Sequence, residues 1–150
     1  MRTPSQLIPF GGLVATIVAA AYAVVHLSGQ TQAPAGDFTS AATAQVRDAQ
    51  GQIVLQGEFM SPVEEDGGLE RRATLATTGV DPDAGGEAEI EFDKAGATEQ
   101  EVEFAVRSLQ PGATFTFVID GTDIASATTD RQGRAEVELD IRMPGATPSP

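Results

Sequence analysis

The chain contains no cysteine and no tryptophan, and its only tyrosine and only histidine, Tyr22 and His26, both lie near the N-terminus. Because cysteine is absent, disulfides and thiolate chemistry are excluded, and a folded domain must be held by its hydrophobic core alone. Because no histidine follows residue 26, the rest of the chain lacks the imidazole of a Ser-His-Asp triad and the commonest zinc ligand. The scarcity of aromatic residues also argues against a carbohydrate site.

Positive charge is scarce as well. Nine Lys and Arg residues stand against 22 Asp and Glu residues, which gives a formal net charge of −13. Every acidic residue and every basic residue except Arg2 lies after residue 36, so that part of the chain carries a charge of −14. Nucleic-acid binding depends on Lys and Arg neutralising phosphates, and anionic lipid surfaces also repel an acidic protein. We therefore expect no nucleic-acid partner and no membrane contact except through the N-terminal segment.

Residues 1–36 differ from the rest of the chain. They contain an uncharged apolar run of 18 residues at 10–27, which a polar stretch with Ala and Pro follows. This length lies between a signal-peptide core of about 7–15 residues and a membrane-spanning helix of about 20. Two interpretations stay open, namely a signal peptide cleaved after the Ala33-x-Ala35 pattern and an uncleaved helical membrane anchor. In both, the positive-inside rule predicts that residues 37–150 are exported to the periplasm or the extracellular space.

After residue 36, apolar and polar side chains alternate with a period of two, which predicts antiparallel strands with one buried and one solvated face. We expect strands at about 43–48, 52–59, 70–77, 87–93, 101–109, 114–120, 122–128 and 134–142, the last four of them as a meander. The predicted fold is all-β. It is an antiparallel β-sandwich of about 7–8 short strands over residues 37–143, with a small β-barrel as the alternative. The tail at 144–150 is predicted to be disordered.

Glycine-containing turn signals separate the predicted strands. Asp120-Gly121 suits a two-residue hairpin turn, which requires positive φ. An Asp-x-x-Gly pattern occurs twice, at 48–51 and 130–133. Aspartate can accept backbone hydrogen bonds at the first position, and glycine can take the left-handed conformation at the fourth. We therefore predict turns at both places, and not ligand sites.

The alternation also predicts which side chains face the core. Inward positions are expected to carry five phenylalanines: Phe59, Phe92, Phe104, Phe115 and Phe117. Outward positions carry rows of acidic residues: Glu87, Glu89 and Glu91, then Glu101 and Glu103, then Glu136, Glu138 and Asp140. If these strands are neighbours, like charges lie opposite each other, which is destabilising. Such a face can recruit cations or a basic partner, or it can serve only solubility and prevent edge-to-edge strand pairing.

One loop offers candidate metal ligands. The stretch "DPDAGGE" contains Asp81, Asp83 and Glu87, and calcium binds carboxylate oxygens in glycine-rich loops. Compared with a twelve-residue calcium loop, the two aspartates fall on the first and third positions and Gly86 on the sixth. The twelfth position is Phe92, where such a loop needs a bidentate glutamate. Calcium is therefore the one cofactor that the sequence suggests, although the stretch matches the twelve-residue calcium loop only in part.

The run at 101–139 joins a strand ending in Leu-x-Pro-Gly to an aromatic strand, an Asp-Gly turn, a strand ending in Thr-Thr-Asp and a final acidic strand. This order is similar to that of small exported bacterial all-β domains, and it resembles the chordin-type (CHRD) domain, an extracellular β-sandwich module. The resemblance implies a β-sandwich outside the cytoplasm. The histidine that the chordin-type family tends to carry in its second half has no counterpart in this chain.

These observations predict an exported, non-enzymatic structural or interaction module of the cell envelope or extracellular space, with a protein partner of unknown identity. A calcium-dependent binding module using Asp81, Asp83 and Glu87 is the alternative. Paired carboxylates are abundant, so a carboxylate-based hydrolase is a third hypothesis from a different class.

Overall fold

A computed structural model describes residues 35–65, 67–93 and 98–144. The predicted apolar helix at 10–27 and the tail beyond residue 144 lie outside the described residues. The described part of the chain contains no helix that is long and apolar enough to span a membrane.

The described residues form an all-β, antiparallel fold, as the alternation predicts. Its strands are β1 (Thr43–Arg47), β2 (Ile53–Glu58), β3 (Val63–Glu65), β4 (Gly68–Thr77), β5 (Gly85–Asp93), β6 (Glu99–Arg107), β7 (Thr114–Ile119), β8 (Thr122–Thr128) and β9 (Ala135–Arg142). The short strand β3 lies in a segment that the sequence pattern assigns to a loop, because three residues are too few to show an alternation. It pairs with the first residues of β4.

All nine strands belong to one sheet, in the order β8-β7-β1-β2-β4-β5-β6-β9 with β3 beside β4. The sheet curls until its edge strands β8 and β9 approach each other, which gives a nearly closed barrel shape. The two separate sheets of a sandwich are therefore not seen, and the structure is closer to the alternative, a small barrel. The reason lies at β2 and β4, where the pairs Leu55–Thr77 and Gln56–Ala76 join what would otherwise be two sheets.

The predicted meander of the last four strands is confirmed only for the hairpin of β7 and β8 and is otherwise wrong. Among the described strands, β6 pairs with β5 and β9, whereas β7 pairs with β1 and β8. The loops β6–β7 and β8–β9 therefore cross the end of the barrel side by side, and they bind each other. Leu109 N donates to Gly133 O at 3.0 Å, and Gly112 N donates to Thr129 O at 3.2 Å. Turn residues show where a strand ends, but they do not determine which strand becomes its neighbour.

The interior of the barrel is apolar. Phe104 on β6 and Phe117 on β7 meet edge to face with their ring centroids 5.1 Å apart, a contact between strands that do not pair. Four of the five phenylalanines predicted to face inward are buried, and the fifth, Phe92, is half-buried against the core. Burial of a large side chain contributes about 1.5–3 kcal/mol, so these contacts contribute to the stability of a domain without disulfides.

The two Asp-x-x-Gly segments are turns of the same construction, as predicted. In the first, Asp48 Oδ1 accepts hydrogen bonds from Gln50 N and Gln52 N. In the second, Asp130 Oδ1 accepts from Gln132 N and Arg134 N. Gly51 and Gly133 close the turns with φ values of 79° and 72°. The first turn joins the paired strands β1 and β2, whereas the second lies in a loop that crosses the barrel end.

These twin turns allow a controlled test of the loop packing. A Cβ at Gly133 would collide with the carbonyl oxygen of Leu109, whereas a Cβ at Gly51 would have no neighbour within 4 Å. Gly51→Ala should cost only the left-handed strain, about 1–2 kcal/mol of unfolding free energy. Gly133→Ala should cost about 3–5 kcal/mol, because the collision adds to that strain. Equilibrium urea unfolding measures both values, and equal losses would contradict the described packing of the crossing loops.

Candidate functional site

The most distinctive surface is the outer side of β4, β5, β6 and β9, which we call the acidic face. Three rows of directly opposed residues cross it: Glu70-Glu91-Glu101-Asp140, Arg72-Glu89-Glu103-Glu138 and Thr74-Glu87-Ala105-Glu136. The rows contain nine carboxylates and one cation. The predicted juxtaposition of the acidic rows is thus confirmed, and it arises because β5 lies between β4 and β6 while β9 pairs with β6.

The carboxylates of neighbouring strands repel each other across the rows. Residues directly opposite in an antiparallel pair have Cβ atoms about 4.5–5.5 Å apart, where like charges destabilise a sheet. Glu91 lies opposite both Glu70 and Glu101, and Glu103 lies opposite both Glu89 and Glu138. The strands keep this register because the alternate residues, such as Ile90 and Val102, are fully buried in the core.

Arg72 is the single cation within the rows. Its guanidinium binds both carboxylate oxygens of Glu70, which is only 2% exposed. Its Nε also lies 3.2 Å from Glu89 Oε2. One arginine therefore contacts two glutamates. Within the three rows, no carboxylate on β6 or β9 lies directly opposite a cation.

Glu89, in the middle row of the face, has a strongly raised pKa. Its burial, followed by a hydrogen bond with Glu91, raises its pKa to about 7. The nearby charges of Glu70 and Glu91 act in the same direction, while Arg72 lowers the pKa. The 3.2 Å ion pair with Arg72 would by itself favour the charged form. Burial and the acidic neighbours outweigh it, since Arg72 is shared with Glu70.

The central strand β6 shows the same effect. Burial, and then the charges of Glu136 and Glu138, raise the pKa of Glu103. Burial, and then the charge of Glu138, raise the pKa of Glu101. Glutamates on the two neighbouring strands β5 and β6 therefore have raised pKa values.

Three carboxylates of the face come close enough to share a ligand. One carboxylate oxygen from each of Glu70, Glu89 and Glu91 lies within 4.8 Å of the other two. Among the described residues, this is the group of three possible metal ligands that lie so close together. Arg72 already contacts two of the three, so part of their charge is compensated from within the chain.

The calcium candidates from the sequence are not assembled in this way. Asp81 and Asp83 lie in the β4–β5 loop, and Glu87 lies on the acidic face opposite Ala105. The backbone carbonyl of Asp81 accepts hydrogen bonds from Thr77 Oγ1 and Ala84 N, which fold the loop onto the end of β4. Calcium binding by these three residues stays a prediction.

Two residues of the face were missed from the sequence, Glu70 and Arg72. The signal was present in the stretch "LERRATLAT", in which Glu70, Arg72 and Thr74 alternate with inward positions. Only the pairing of β4 with β5 places them at the end of the acidic rows.

The chain matches no protein-family model, no curated protein and no solved structure. The resemblance of residues 101–139 to the chordin-type domain therefore stays a prediction.

The raised pKa values predict an unusual pH dependence of stability. In the folded protein Glu89 keeps its proton up to about pH 7, because its pKa is raised to about 7. In the unfolded chain the same carboxyl has its ordinary pKa of 4.5. Folded protein thus binds more protons between these values. The resulting stabilisation is fully present below about pH 4.5 and is lost as the pH rises through about 7. Urea unfolding should therefore give a larger unfolding free energy at pH 5 than at pH 7.5.

Glu89→Gln should reduce this dependence, because it removes the carboxyl whose pKa is raised to about 7. Glu58→Gln, at an exposed glutamate outside the rows, is the matched control and should leave the dependence as it is. Stability that rises steadily from pH 5 to pH 7.5 would contradict the described packing of the rows.

Proposed function

We propose that the chain beyond residue 36 is an exported, non-enzymatic interaction module whose acidic face binds a basic segment of a partner protein. The observation that carries this proposal is the set of nine carboxylates in three registered rows with a single arginine among them.

The cost of the rows supports a binding role. Each directly opposed pair of like charges costs up to about 1 kcal/mol in a sheet, and a solubilising surface could avoid that cost by spacing its charges. Cationic groups from a partner would relieve this repulsion, so binding would gain from both attraction and relief. The carboxylates are also fixed on four paired strands, which lowers the conformational entropy that binding must remove.

Charge determines the class of partner. Phosphates and anionic lipids are repelled by a chain segment with a net charge of −14. Lysine and arginine side chains of a protein fit the rows, and guanidinium groups in particular can bind carboxylates through two parallel hydrogen bonds. Arg72 with Glu70 shows this arrangement within the chain itself. The long-range field of the face would also accelerate the encounter with a basic partner.

The absence of histidine from residues 37–150 supports a non-enzymatic role, since it removes the commonest general base. Export is supported by the apolar run at 10–27, which is a feature of the sequence.

Binding of a labelled peptide with alternating lysine and serine to the full-length chain tests the proposal. Binding should weaken steeply as salt rises, because exposed charges are screened. Glu101→Gln combined with Glu138→Gln should weaken it about tenfold, since each exposed ion pair contributes roughly 0.7 kcal/mol. Fluorescence anisotropy at several salt concentrations gives both values.

The matched control combines Asp83→Asn with Asp123→Asn, which removes the same charge from exposed positions outside the face. Equal weakening by the two double variants would show that overall charge, and not the registered rows, is responsible. Repeating the titration with calcium chloride separates calcium-dependent binding, which would be lost in the Asp83→Asn control.

A further inference from the structure

The residues that lead into β1 are fixed on the barrel, and we call residues 36–42 the entry segment. Phe38 is 7% exposed and Ala41 is 2% exposed, and both side chains belong to the hydrophobic core. Ala41 N donates a hydrogen bond to Phe38 O at 2.9 Å, which makes a turn between the two residues. The packed core therefore begins two residues after Gly36.

One buried side chain holds the start of the entry segment. Gln100 on β6 is 2% exposed and faces the core, where it lies opposite Phe92 and Ile141. Its Oε1 accepts a hydrogen bond from Phe38 N at 3.0 Å, and its Nε2 donates one to Gly36 O. A buried amide without hydrogen bonds costs free energy, so release of the entry segment would leave Gln100 in an unfavourable environment.

Two further contacts hold the rest of the entry segment. The guanidinium of Arg71 on β4 donates a hydrogen bond to Thr39 O at 3.0 Å. The carboxylate of Asp120, in the turn between β7 and β8, accepts hydrogen bonds from Ala42 N at 3.0 Å and from Thr43 N at 2.7 Å. Together with the contacts to β6, the entry segment is therefore bound to three separate parts of the barrel.

The first residue of the entry segment is covered as well. A Cβ placed on Gly36 would lie 2.8 Å from Cζ of Phe38, so the phenyl ring packs against the Gly36 backbone. Asp37 Oδ1 accepts hydrogen bonds from Thr39 N at 3.0 Å and from Thr39 Oγ1 at 2.7 Å. The chain after residue 35 is thus occupied by internal contacts, whereas Ala35 itself is exposed.

This arrangement bears on the peptide bond between Ala35 and Gly36. The Ala33-x-Ala35 pattern marks this bond as the expected cleavage position. Proteolysis requires exposed backbone without hydrogen bonds, and buried or hydrogen-bonded backbone has to open first. In the folded protein the Gly36 carbonyl and the Phe38 amide are both bound by Gln100. A peptidase therefore meets closed backbone directly on the C-terminal side of the bond.

We infer that the Ala35–Gly36 bond is a processing site that folding closes, so that a peptidase hydrolyses it only before the entry segment docks on the barrel. Hydrolysis adds water across the peptide bond and leaves a carboxylate on Ala35 and an ammonium group on Gly36. If the entry segment docks first, residues 1–35 stay attached. The order of the two events then determines whether the barrel is released or stays joined to the apolar run at 10–27. This inference goes beyond the proposed function, because it does not depend on the partner of the acidic face.

Pancreatic elastase, which has a small specificity pocket, is the probe for this bond. It is added to the full-length chain in mild detergent and to a peptide of residues 28–42, which lacks the barrel. Mass spectrometry follows the fragments that begin at Gly36. The peptide should be cut about a hundredfold faster than the folded chain, because cleavage follows the population in which the entry segment is released. Equal rates for the chain and the peptide would overturn the inference.

Gln100→Ala should accelerate cleavage of the folded chain roughly tenfold, because it removes both hydrogen bonds that hold the start of the entry segment. Thr129→Val is the matched control and should leave the rate unchanged. Thr129 is 4% exposed and donates a hydrogen bond to Gln110 O at 2.6 Å, in the crossing loops at the other end of the barrel.

Phe38→Ala changes no residue of a strand, and it should also accelerate cleavage when it is measured beside a peptide with the same substitution. Circular dichroism verifies that each variant is folded. Faster cleavage in these two variants, and not in Thr129→Val, supports the inference. If neither variant is cut faster than the Thr129→Val control, the inference is overturned. Elastase is used without any basic peptide, so this outcome is separate from the test of the proposed function.

Discussion

The register of β5, β6 and β9 is the constraint on which the rest of the structure depends. Successive side chains of a strand face opposite sides, so the register that places Ile90 beside Val102 in the core must also place Glu89 beside Glu103 on the surface. A shift by one residue would exchange the two faces. The core therefore enforces an arrangement of charges that the surface alone would not adopt.

Under the proposed function, this coupling connects stability with binding. The apolar interior, with Phe104 and Phe117 in contact across the barrel, supplies the energy that keeps opposed carboxylates in place. Burial and the neighbouring charges raise the pKa values of Glu89, Glu101 and Glu103, and Arg72 lies at one end of the rows. Under the proposed function, a partner that brings positive charge relieves the repulsion between the opposed carboxylates.

Local patterns in the sequence predicted much of this architecture. Alternation identified eight of the nine strands and the inward phenylalanines, and the Asp-x-x-Gly spacing identified both turns. The strand order could not be predicted, because the loop with Pro111-Gly112 and the loop with Gly133 cross the barrel end, and a turn does not specify the next partner. The acidic residues of β5, β6 and β9 were recognised because each strand shows its own alternation. Glu70 and Arg72 were not recognised as part of the same face. Their role depends on the pairing of β4 with β5, which no local pattern encodes.

The most direct test of the registered rows is a residue-specific titration of the glutamate side-chain carboxyl carbons by NMR. If the rows are packed as described, Glu89 titrates near pH 7, and Glu101 and Glu103 titrate above the ordinary value of 4.5. If all three titrate together at 4.5, the carboxylates are neither buried nor opposed, and the acidic face as a preorganised surface would be contradicted.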